Sequence, residues 1–386
     1  MRTPKRGWLF SSALCCVCLT FLAGLVEAAE FRQALPGYKF QFPRDHGSHP
    51  QFATEWWYYT GHLRAKDGRR FGYQVTWFRT ALAPQIKRQS AWAARDILFG
   101  HFALTDESGR QFFFSDRIER GNLGLASAQV ASARPPQIFV GSWKLQFSGK
   151  QGERQSFRAS ALSDNPSTRN QAFALDLTQV SLKPPVVQGV NGVSQKAAGR
   201  GRASHYYSLT RLQTRGTLTL GREKLAVEGQ SWFDHEFGSN QLAKNQVGWD
   251  WFSLQLNDGR ELMLYRLRRR DGSVEPYSSG TLVERDGRSR HLRLADFEMT
   301  PLSSWKSELT GATYPARWRL ALPKLGMKLE VTPSMAEQEL RPRRTGANLA
   351  YWEGSVRATG SQNGRAIGAV GYLEMTGYAS AFKATF

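Results

Sequence analysis

Short runs in which aromatic or β-branched residues alternate with polar ones recur along this sequence, and polar Gly-containing segments separate them. A period of two residues is typical of strands with one buried face, whereas helical periodicity is scarce. Asp-Gly or Asn-Gly between alternating runs favours a tight hairpin turn. The pattern therefore predicts an all-β protein with meandering antiparallel sheets, as in up-and-down barrels. The predicted turns are AKDGRR (65–70), TDESGR (105–110), LNDGRE (256–261), RRRDGS (268–273), ERDGRS (284–289) and SQNGRA (361–366).

A weak internal repeat favours two such units, and 386 residues are too many for one ordinary core. Residues 55–79 and 249–268 both consist of an aromatic strand, an Asp-Gly-Arg turn and a second alternating strand. Two barrels that each open with a Trp-rich hairpin would produce these copies. The segment 183–208 is long, Gly-rich and irregular, which in a compact domain is usually a functional or mobile loop. We place the domain boundary soon after it and predict domains at 38–230 and 231–386.

The first 28 residues have the three parts of a secretory signal peptide. A basic head precedes an uncharged apolar stretch, and small residues at Val26 and Ala28 would allow cleavage before Ala29. The stretch is long for a signal, so an uncleaved membrane anchor is the alternative. All three cysteines lie inside it, so a cleaved chain has no disulfide, thiolate nucleophile or Cys-ligated zinc. We therefore expect a periplasmic or secreted protein.

The chain has a net charge of +20, from 52 basic and 32 acidic side chains. Expected export argues against nucleic acid as a partner, so an anionic envelope lipid or an acidic polysaccharide fits this charge better. The alternative is an Arg-rich surface without a specific partner. The one dense basic cluster, YRLRRRDG at 265–272, is typical of a solvated strand end that runs into a turn.

The segment GQSWFDHEFGS, residues 229–239, contains three consecutive ionisable residues. In a strand, Asp234 and Glu236 share one face with Trp232, and His235 lies on the other face. The three groups then cannot converge on one ion, so we predict no metal. Two carboxylates on one face can differ in pKa and divide into acid and base, or they can pair with buried arginine. His235 is typical of a core residue and would be useful only if a cavity lies on its side.

Acidic residues recur beside aromatic ones in the Trp-rich hairpins. Glu55, Trp57 and Tyr59 share one face of a predicted strand, and Trp249 and Trp251 lie opposite Asp250 in another. An acid beside Trp and Tyr recurs a third time at Glu353. Aromatic walls with a few polar groups suit an elongated apolar ligand, and their ring faces could stabilise a cation formed along a polyene. The alternative for each residue is core packing. The chain has no nucleophile elbow, HExxH, GxGxxG or P-loop, so serine-hydrolase, zinc-protease and nucleotide chemistry lack support.

Four segments resemble the AttH-like family, which is related to bacterial carotenoid 1,2-hydratase: HPQFATEWWYYTGHL, KPPVVQGVNGVSQK with SHYYSL, GQSWFDHEFGS and GYLEMTGY. They run from about residue 49 to the C-terminus. The resemblance implies two tandem lipocalin-like (calycin) antiparallel β-barrels with an apolar cavity near their junction. It also implies one of several activities. Some relatives hydrate a terminal isoprenoid double bond without a cofactor, others guide cyclisations, and many are described only as secreted hydrolases, some beside ABC-exporter genes.

The hydratase motifs can be carried over residue by residue. Their Asp-His pair falls on Asp234 and His235, and the aromatic residue that follows, usually Trp, is Phe237 here. Their Tyr-x-Asp pattern falls on Tyr265 and Leu267. The resemblance therefore implies that leucine replaces the aspartate expected to protonate the alkene.

Two hypotheses follow, and neither requires a cofactor. The first is a hydratase- or hydrolase-type enzyme for an isoprenoid or acyl-chain ligand, with Asp234 as the acid–base residue and Glu236 or His235 assisting. The second is a non-enzymatic lipid carrier associated with an ABC exporter. The acid missing at Leu267 favours the carrier, and the Asp-His-Glu block favours the enzyme. The expected ligand-binding residues are Glu55, Trp57, Tyr59, Tyr206, Tyr207, Trp232, Trp249, Asp250 and Tyr265.

Overall fold

The computed structural model describes residues 30–84, 90, 92–130, 135–344 and 349–381. The predicted signal segment lies outside these ranges, so its cleavage stays a prediction. Within them, no helix is long and apolar enough to cross a membrane. Helical structure in the described residues is limited to short 3-10 turns, and the all-β prediction is confirmed. These turns are Arg44–His46, Pro166–Thr168, Leu294–Asp296 and Pro323–Leu325.

The first sheet uses strands from the N-terminal two-thirds of the chain. They are β1 (Thr54–Ala65), β2 (Arg70–Ala81), β3 (Asp96–Asp106), β4 (Gln111–Arg120), β5 (Ala126–Ala128), β6 (Gln137–Val140), β7 (Trp143–Ser148), β8 (Arg154–Leu162), β9 (Ala172–Ser181), β10 (Val186–Val187), β11 (Ser194–Gln195), β12 (Ala203–Leu220) and β13 (Glu223–Gly238). Their order is β4-β3-β2-β1-β13-β12-β9-β8-β7-β6-β5, and β10 and β11 also pair with β12. Because β3 and β4 contact β6, the sheet curls into a nearly closed antiparallel barrel.

The second sheet uses the remaining strands and forms a half-barrel. They are β14 (Gln246–Leu256), β15 (Glu261–Arg269), β16 (Ser279–Val283), β17 (Ser289–Arg293), β18 (Glu298–Pro301), β19 (Ser304–Lys306), β20 (Thr313–Pro315), β21 (Trp318–Leu322), β22 (Met327–Pro333), β23 (Glu339–Leu340), β24 (Tyr351–Gln362) and β25 (Arg365–Met375). The order is β17-β16-β15-β14-β25-β24-β22-β21-β18, with β23 beside β24, while β19 and β20 pair separately. The predicted pair of antiparallel barrels is confirmed, the second as a half-barrel.

The predicted turn segments all lie in turns between or after strands. Five of them join strands that pair directly as hairpins. The sixth, at 268–273, ends β15 and leads into a longer connection to β16. Gly68 and Gly259 have φ angles of 90° and 88°, which glycine adopts without the steric penalty of a side chain. The Asp-Gly dipeptides therefore set these hairpins by the mechanism that the sequence predicts.

Each sheet has its own core, and a third buried cluster lies between the sheets. Trp57, Trp77 and Phe233 fill the first barrel, and Phe252 and Trp318 lie in the core of the second. We call this third cluster and the polar groups around it the junction. Its buried side chains are Tyr58, Tyr206, Trp232, Trp251, Met263, Tyr265, Leu267 and Tyr372.

Strand β13 continues through the predicted domain boundary at residue 230. Its pairing with β1 extends from Thr54 opposite Gly238 to Ala65 opposite Val227. The second sheet begins with β14. The division into domains at 38–230 and 231–386 stays a prediction.

Residues 183–202, which we call the strap, connect β9 to β12 and contact the second sheet. Lys183 Nζ lies 2.8 Å from Glu261 Oε2 on β15. The Thr281 hydroxyl on β16 donates a hydrogen bond of 2.6 Å to Gln188 Oε1. The irregular Gly-rich segment is therefore held against both sheets at the junction.

Candidate active site at the junction of the two sheets

Successive side chains of strand β13 lie alternately at the junction and inside the first barrel. The predicted alternation of faces along this strand is confirmed. Trp232 and Asp234 face the junction, where Asp234 meets Tyr206. Phe233 and His235 face the inside of the first barrel. The ionisable groups of the Asp-His-Glu block therefore do not act as one cluster.

Asp234 is a buried carboxyl group whose hydrogen-bond donors are all uncharged. Tyr206 Oη and Trp232 Nε1 each donate a hydrogen bond of 2.7 Å, and Ser208 Oγ donates another. Among the described residues it belongs to no salt bridge. Burial raises the pKa of Asp234 to about 7, although the three donors oppose this rise. A carboxyl group with such a pKa is a usable proton donor near neutral pH.

Glu236, two residues along the same face, has a cationic partner. Lys196 of the strap places its Nζ 3.2 Å from Glu236 Oε1, and Ser204 Oγ also donates to this oxygen. The ammonium group lies 4.4 Å from the centre of the Tyr265 ring. Burial opposes the charge of Lys196, but the negative charge of Glu236 raises the pKa of the lysine. Glu236 is thus an ion-pair partner, unlike Asp234.

Two further carboxyl groups reach the junction from the second sheet. Glu353 and Glu374 lie directly opposite each other on β24 and β25, as Tyr58 and Asp234 do on β1 and β13. Tyr58 Oη donates a hydrogen bond of 2.7 Å to Glu353 Oε1, which joins the sheets. Trp249 Nε1 donates a hydrogen bond of 2.8 Å to Glu374 Oε2. With Asp234 and Glu236, the junction therefore brings together four carboxyl groups from two sheets.

Neither Glu353 nor Glu374 belongs to a salt bridge within the described part of the chain. Burial raises the pKa of Glu374 to about 7, and the charges of Asp234 and Glu236 add to this rise. Burial, together with the charge of Glu374, raises the pKa of Glu353 well above its ordinary value. Glu353 Oε2 is buried and has no hydrogen-bond partner. These carboxyl groups therefore hold protons, wholly or in part, at neutral pH.

Aromatic rings enclose the carboxyl groups and close the junction. The Trp251 ring lies 5.4 Å from the Tyr58 ring and 6.3 Å from the Trp232 ring, measured between centres, in edge-to-face contacts. Each of these three rings is at most 7% exposed. A ligand would therefore have to separate rings to reach Asp234. The partly exposed side chains at the edge are Trp56, Leu242, Trp249 and Glu374.

His235 belongs to a separate buried network inside the first barrel. Its Nε2 lies 2.9 Å from Glu55 Oε1, and His49 Nδ1 lies 2.7 Å from the same oxygen. Arg79 Nε donates a hydrogen bond of 3.0 Å to Glu55 Oε2. Burial opposes ionisation, but the charges of His49 and Arg79 hold the pKa of Glu55 well below its ordinary value. Single atoms of His49, Glu55 and His235 lie within 4.8 Å of one another, but Arg79 already neutralises the carboxylate, so this set fits an ion-pair network better than a metal site.

The predicted site residues divide between the junction and the barrel interiors. Asp250 faces the core of the second sheet, where Arg266 Nε lies 2.7 Å from its Oδ2. Those inside the first barrel are Glu55, Trp57, Tyr59, Tyr207 and His235. Those at the junction are Tyr206, Trp232, Asp234, Glu236, Trp249 and Tyr265.

Five junction residues are absent from the catalytic and ligand-binding residues expected from the sequence: Tyr58, Lys196, Trp251, Glu353 and Glu374, although Glu353 is the third acid that the sequence places beside Trp and Tyr. A signal for some of them is present. Trp251 follows Trp249 at the two-residue spacing of one strand face, and Glu374 lies within GYLEMTGY, one of the segments that carry the family resemblance. Lys196 lies in the irregular segment, where no periodicity indicates the direction of a side chain.

A cavity of about 530 Å³ opens away from the junction. Its lining includes Arg341 and Arg343 and the chain near Ala379. None of the junction carboxyl groups contributes to it, so this cavity has none of the acid chemistry described above.

Comparison with known proteins identifies the family. A family model described as AttH-like matches residues 33–378. A candidate AttH protein from Nitrosomonas europaea is 31% identical, and its crystal structure matches 90% of this chain and 99% of that one with a TM-score of 0.78. Kievitone hydratase from Nectria haematococca is 15% identical and matches 91% of this chain and 99% of that one with a TM-score of 0.65, which shows a common fold. No curated protein matches the sequence. The predicted lipocalin-like fold is confirmed, and the chain belongs to the AttH-like family.

Proposed function

We propose that this protein binds a hydrophobic, unsaturated ligand of the isoprenoid or acyl-chain type at the junction and adds water to it without a cofactor. The observation that carries the proposal is the Asp234 carboxyl group, which is buried, bound by three uncharged donors and raised in pKa to about 7. Burial of this kind keeps a carboxyl group protonated where an exposed one would be ionised. Asp234 is therefore the proposed acid.

The proposed reaction needs one proton donor and one proton acceptor. Asp234 gives its proton to one carbon of a C=C bond, and positive charge forms on the other carbon beside the Trp232 and Trp251 rings. Water adds to that carbon, and its surplus proton passes to the Asp234 carboxylate, which restores the acid. The substrate gains one molecule of water, and nothing else is consumed.

A protein with the same fold, kievitone hydratase, is named for a hydration reaction. At 15% identity this likeness concerns the fold, so the proposed activity rests on the groups at the junction. The partly exposed Trp56 and Leu242 offer an apolar edge by which a hydrophobic ligand would enter.

The second candidate function is a lipid carrier without catalysis. Leu267, where the family resemblance places the alkene-protonating aspartate of the hydratases, lies buried within the junction cluster. An apolar side chain at that point favours binding over catalysis. The presence of Asp234 and Glu374 in the same cluster is the reason to place the enzyme first.

Export and partners are also part of the proposal. The signal-like segment at residues 1–28 supports a periplasmic or secreted location. The net charge of +20 supports contact with anionic envelope lipid, and an ABC exporter remains a proposed partner on the family resemblance.

A labelling experiment separates enzyme from carrier. Purified protein is incubated with a panel of isoprenoid and acyl-chain alkenes in isotopically labelled water, and mass spectrometry detects products that gain one labelled oxygen. We expect wild type and Asp176→Asn, which changes an exposed acid, to form product equally. The Asp234→Asn variant should form the hydrated product more slowly than wild type by about 100-fold or more. An alkene that stays bound in native mass spectra but is never hydrated by wild type would support the carrier instead.

A further inference from the structure

We infer that the junction selects a ligand whose polar end is an organic ammonium cation attached to an apolar chain. The inference rests on the proposed function only in taking the junction as the ligand site. It adds the charge of the ligand, which neither the fold nor the acid role of Asp234 specifies.

The first support is an imbalance of charge at the junction. Two buried carboxylates at or beside the junction have cations: Glu261 contacts Lys183 and Arg211, and Glu236 contacts Lys196. The other three carboxyl groups of the junction differ from these, since their hydrogen-bond donors are the neutral side chains of Tyr, Ser and Trp. They are Asp234, Glu353 and Glu374.

The second support is a polar atom without a partner. Glu353 is 0% exposed, its Oε1 accepts a hydrogen bond from Tyr58, and its Oε2 has no partner. Whether Oε2 carries a proton or a lone pair, no described group satisfies it. Buried polar atoms in folded proteins are normally satisfied, and a ligand that donates a hydrogen bond or carries positive charge would satisfy this oxygen in the ionised form of Glu353.

The third support is the ammonium group that the junction already holds. Lys196 Nζ lies 4.4 Å from the centre of the Tyr265 ring and 5.3 Å from that of Tyr206, and Glu236 closes this cage. Ring faces with a carboxylate are the usual environment for ammonium ligands. Glu353 and Glu374 also lie beside aromatic side chains, since Tyr58 and Trp249 donate to them and Trp251 contacts Tyr58, but no lysine of the described chain pairs with these carboxyl groups.

A cationic ligand predicts a particular pH dependence. It favours ionised Glu353 and Glu374, so its binding releases protons and its affinity rises with pH through the pKa of about 7 of Glu374. The affinity for a neutral ligand would not depend on pH in this way, and the affinity for an anionic ligand would fall as the pH rises. The other titratable groups around these two carboxyls are Tyr58, Lys196, Tyr206, Asp234, Glu236, Tyr265, Tyr351 and Tyr372.

The test uses three probes with the same chain and different heads: decyltrimethylammonium, decanol and decyl sulfate, each below its micellar concentration. Binding is followed by tryptophan fluorescence and calorimetry on the folded protein. We expect decyltrimethylammonium to bind most tightly and to gain about tenfold in affinity between about pH 6 and pH 8. Decanol should bind more weakly and independently of pH.

Glu353→Gln and Glu374→Gln should each weaken the cationic probe about tenfold and leave decanol unchanged. Glu339→Gln is the matched control, because Glu339 is a buried carboxyl bound by Ser307, Thr310 and Tyr314 outside the junction. If Glu353→Gln does not fold, binding of the probes to Glu374→Gln tests the inference, because Glu374 is partly exposed. The inference would be overturned if decanol bound most tightly, or if neither variant changed the affinity for the cationic probe. Either result would still leave the junction as the ligand-binding site. Failure of all three probes to bind would overturn the proposed function as well.

Discussion

Tyr58 and Glu353 belong to different sheets, and the Tyr58 hydroxyl donates a hydrogen bond of 2.7 Å to Glu353 Oε1 across the junction. Each has a carboxyl group as its cross-strand neighbour, Asp234 beside Tyr58 and Glu374 beside Glu353. The groups that join the sheets are thus the groups of the candidate site. Every variant at the site therefore needs a measurement of stability beside the measurement of activity.

Asp234→Asn should remove activity and leave the fold nearly unchanged. Asparagine keeps an oxygen for the Trp232 and Ser208 donors, so we expect a cost of about 1 kcal/mol in the free energy of unfolding. Chemical denaturation of wild type and variant measures it. A loss of about 3–5 kcal/mol, with the surviving protein fully active, would instead make Asp234 part of the scaffold.

Changes inside the first barrel should affect stability and not the junction. His235→Gln loses contacts with Glu55 and with the Asp45 carbonyl, and we expect a cost of about 1–3 kcal/mol. Glu55→Gln should cost about 3–5 kcal/mol because it leaves Arg79 and His49 without their carboxylate. Urea unfolding and the hydration assay are run on the same samples. An inactive His235→Gln of undiminished stability would move the chemistry into the barrel.

The pH dependence of the free energy of unfolding should reveal the raised pKa of Asp234. Its folded pKa of about 7 lies above the unfolded value of about 3.9, so the native state binds more protons between these values. The contribution of Asp234 to the free energy of unfolding is then greatest below about pH 4, falls as the pH rises to about 7, and is constant above that. The measured quantity is the difference between wild type and Asp234→Asn across this range. A difference that does not change with pH would contradict the buried acid.

Docking of the sheets should depend on Glu261. This fully buried carboxylate of β15 accepts hydrogen bonds from Lys183 and Arg211 of the first sheet and strap at 2.8 and 2.5 Å. Glu261→Gln should cost about 3–5 kcal/mol because two partly buried cations lose their partner. Glu223→Gln, which breaks an exposed pair with Arg69, should cost at most about 1 kcal/mol. Equal effects of the two changes in thermal melts would show that Glu261 does not hold the sheets together.

The sequence alone was sufficient to predict the hairpins and to predict which residues share each face of strand β13. Asp-Gly turns and two-residue alternation are local properties, and alternation alone separates Asp234 from His235. These features depend on neighbouring residues of the chain. They therefore could be predicted without knowing how the sheets meet.

The choice of face in β1 and β14 could not be predicted in the same way. Both faces of β1 are aromatic, and only the packing of the second sheet makes Tyr58 a junction residue while Glu55 points into the first barrel. In β14 the Asp250 side chain faces the second core, where Arg266 pairs with it. The next side chain, Trp251, lies at the junction. Glu353 and Glu374 meet Asp234 only through contacts between distant segments. Such contacts leave no periodic signal in the chain.

The most direct test of the central claim is a titration of the Asp234 carboxyl group by carbon NMR. Protein labelled in its aspartate side chains is titrated, and the Asp234 signal is assigned as the one that Asp234→Asn removes. The account predicts a midpoint near pH 7, with the carboxyl group still protonated in part at neutral pH. A midpoint near the ordinary value of about 3.9 would contradict it, because Asp234 would then be fully ionised and have no proton to give.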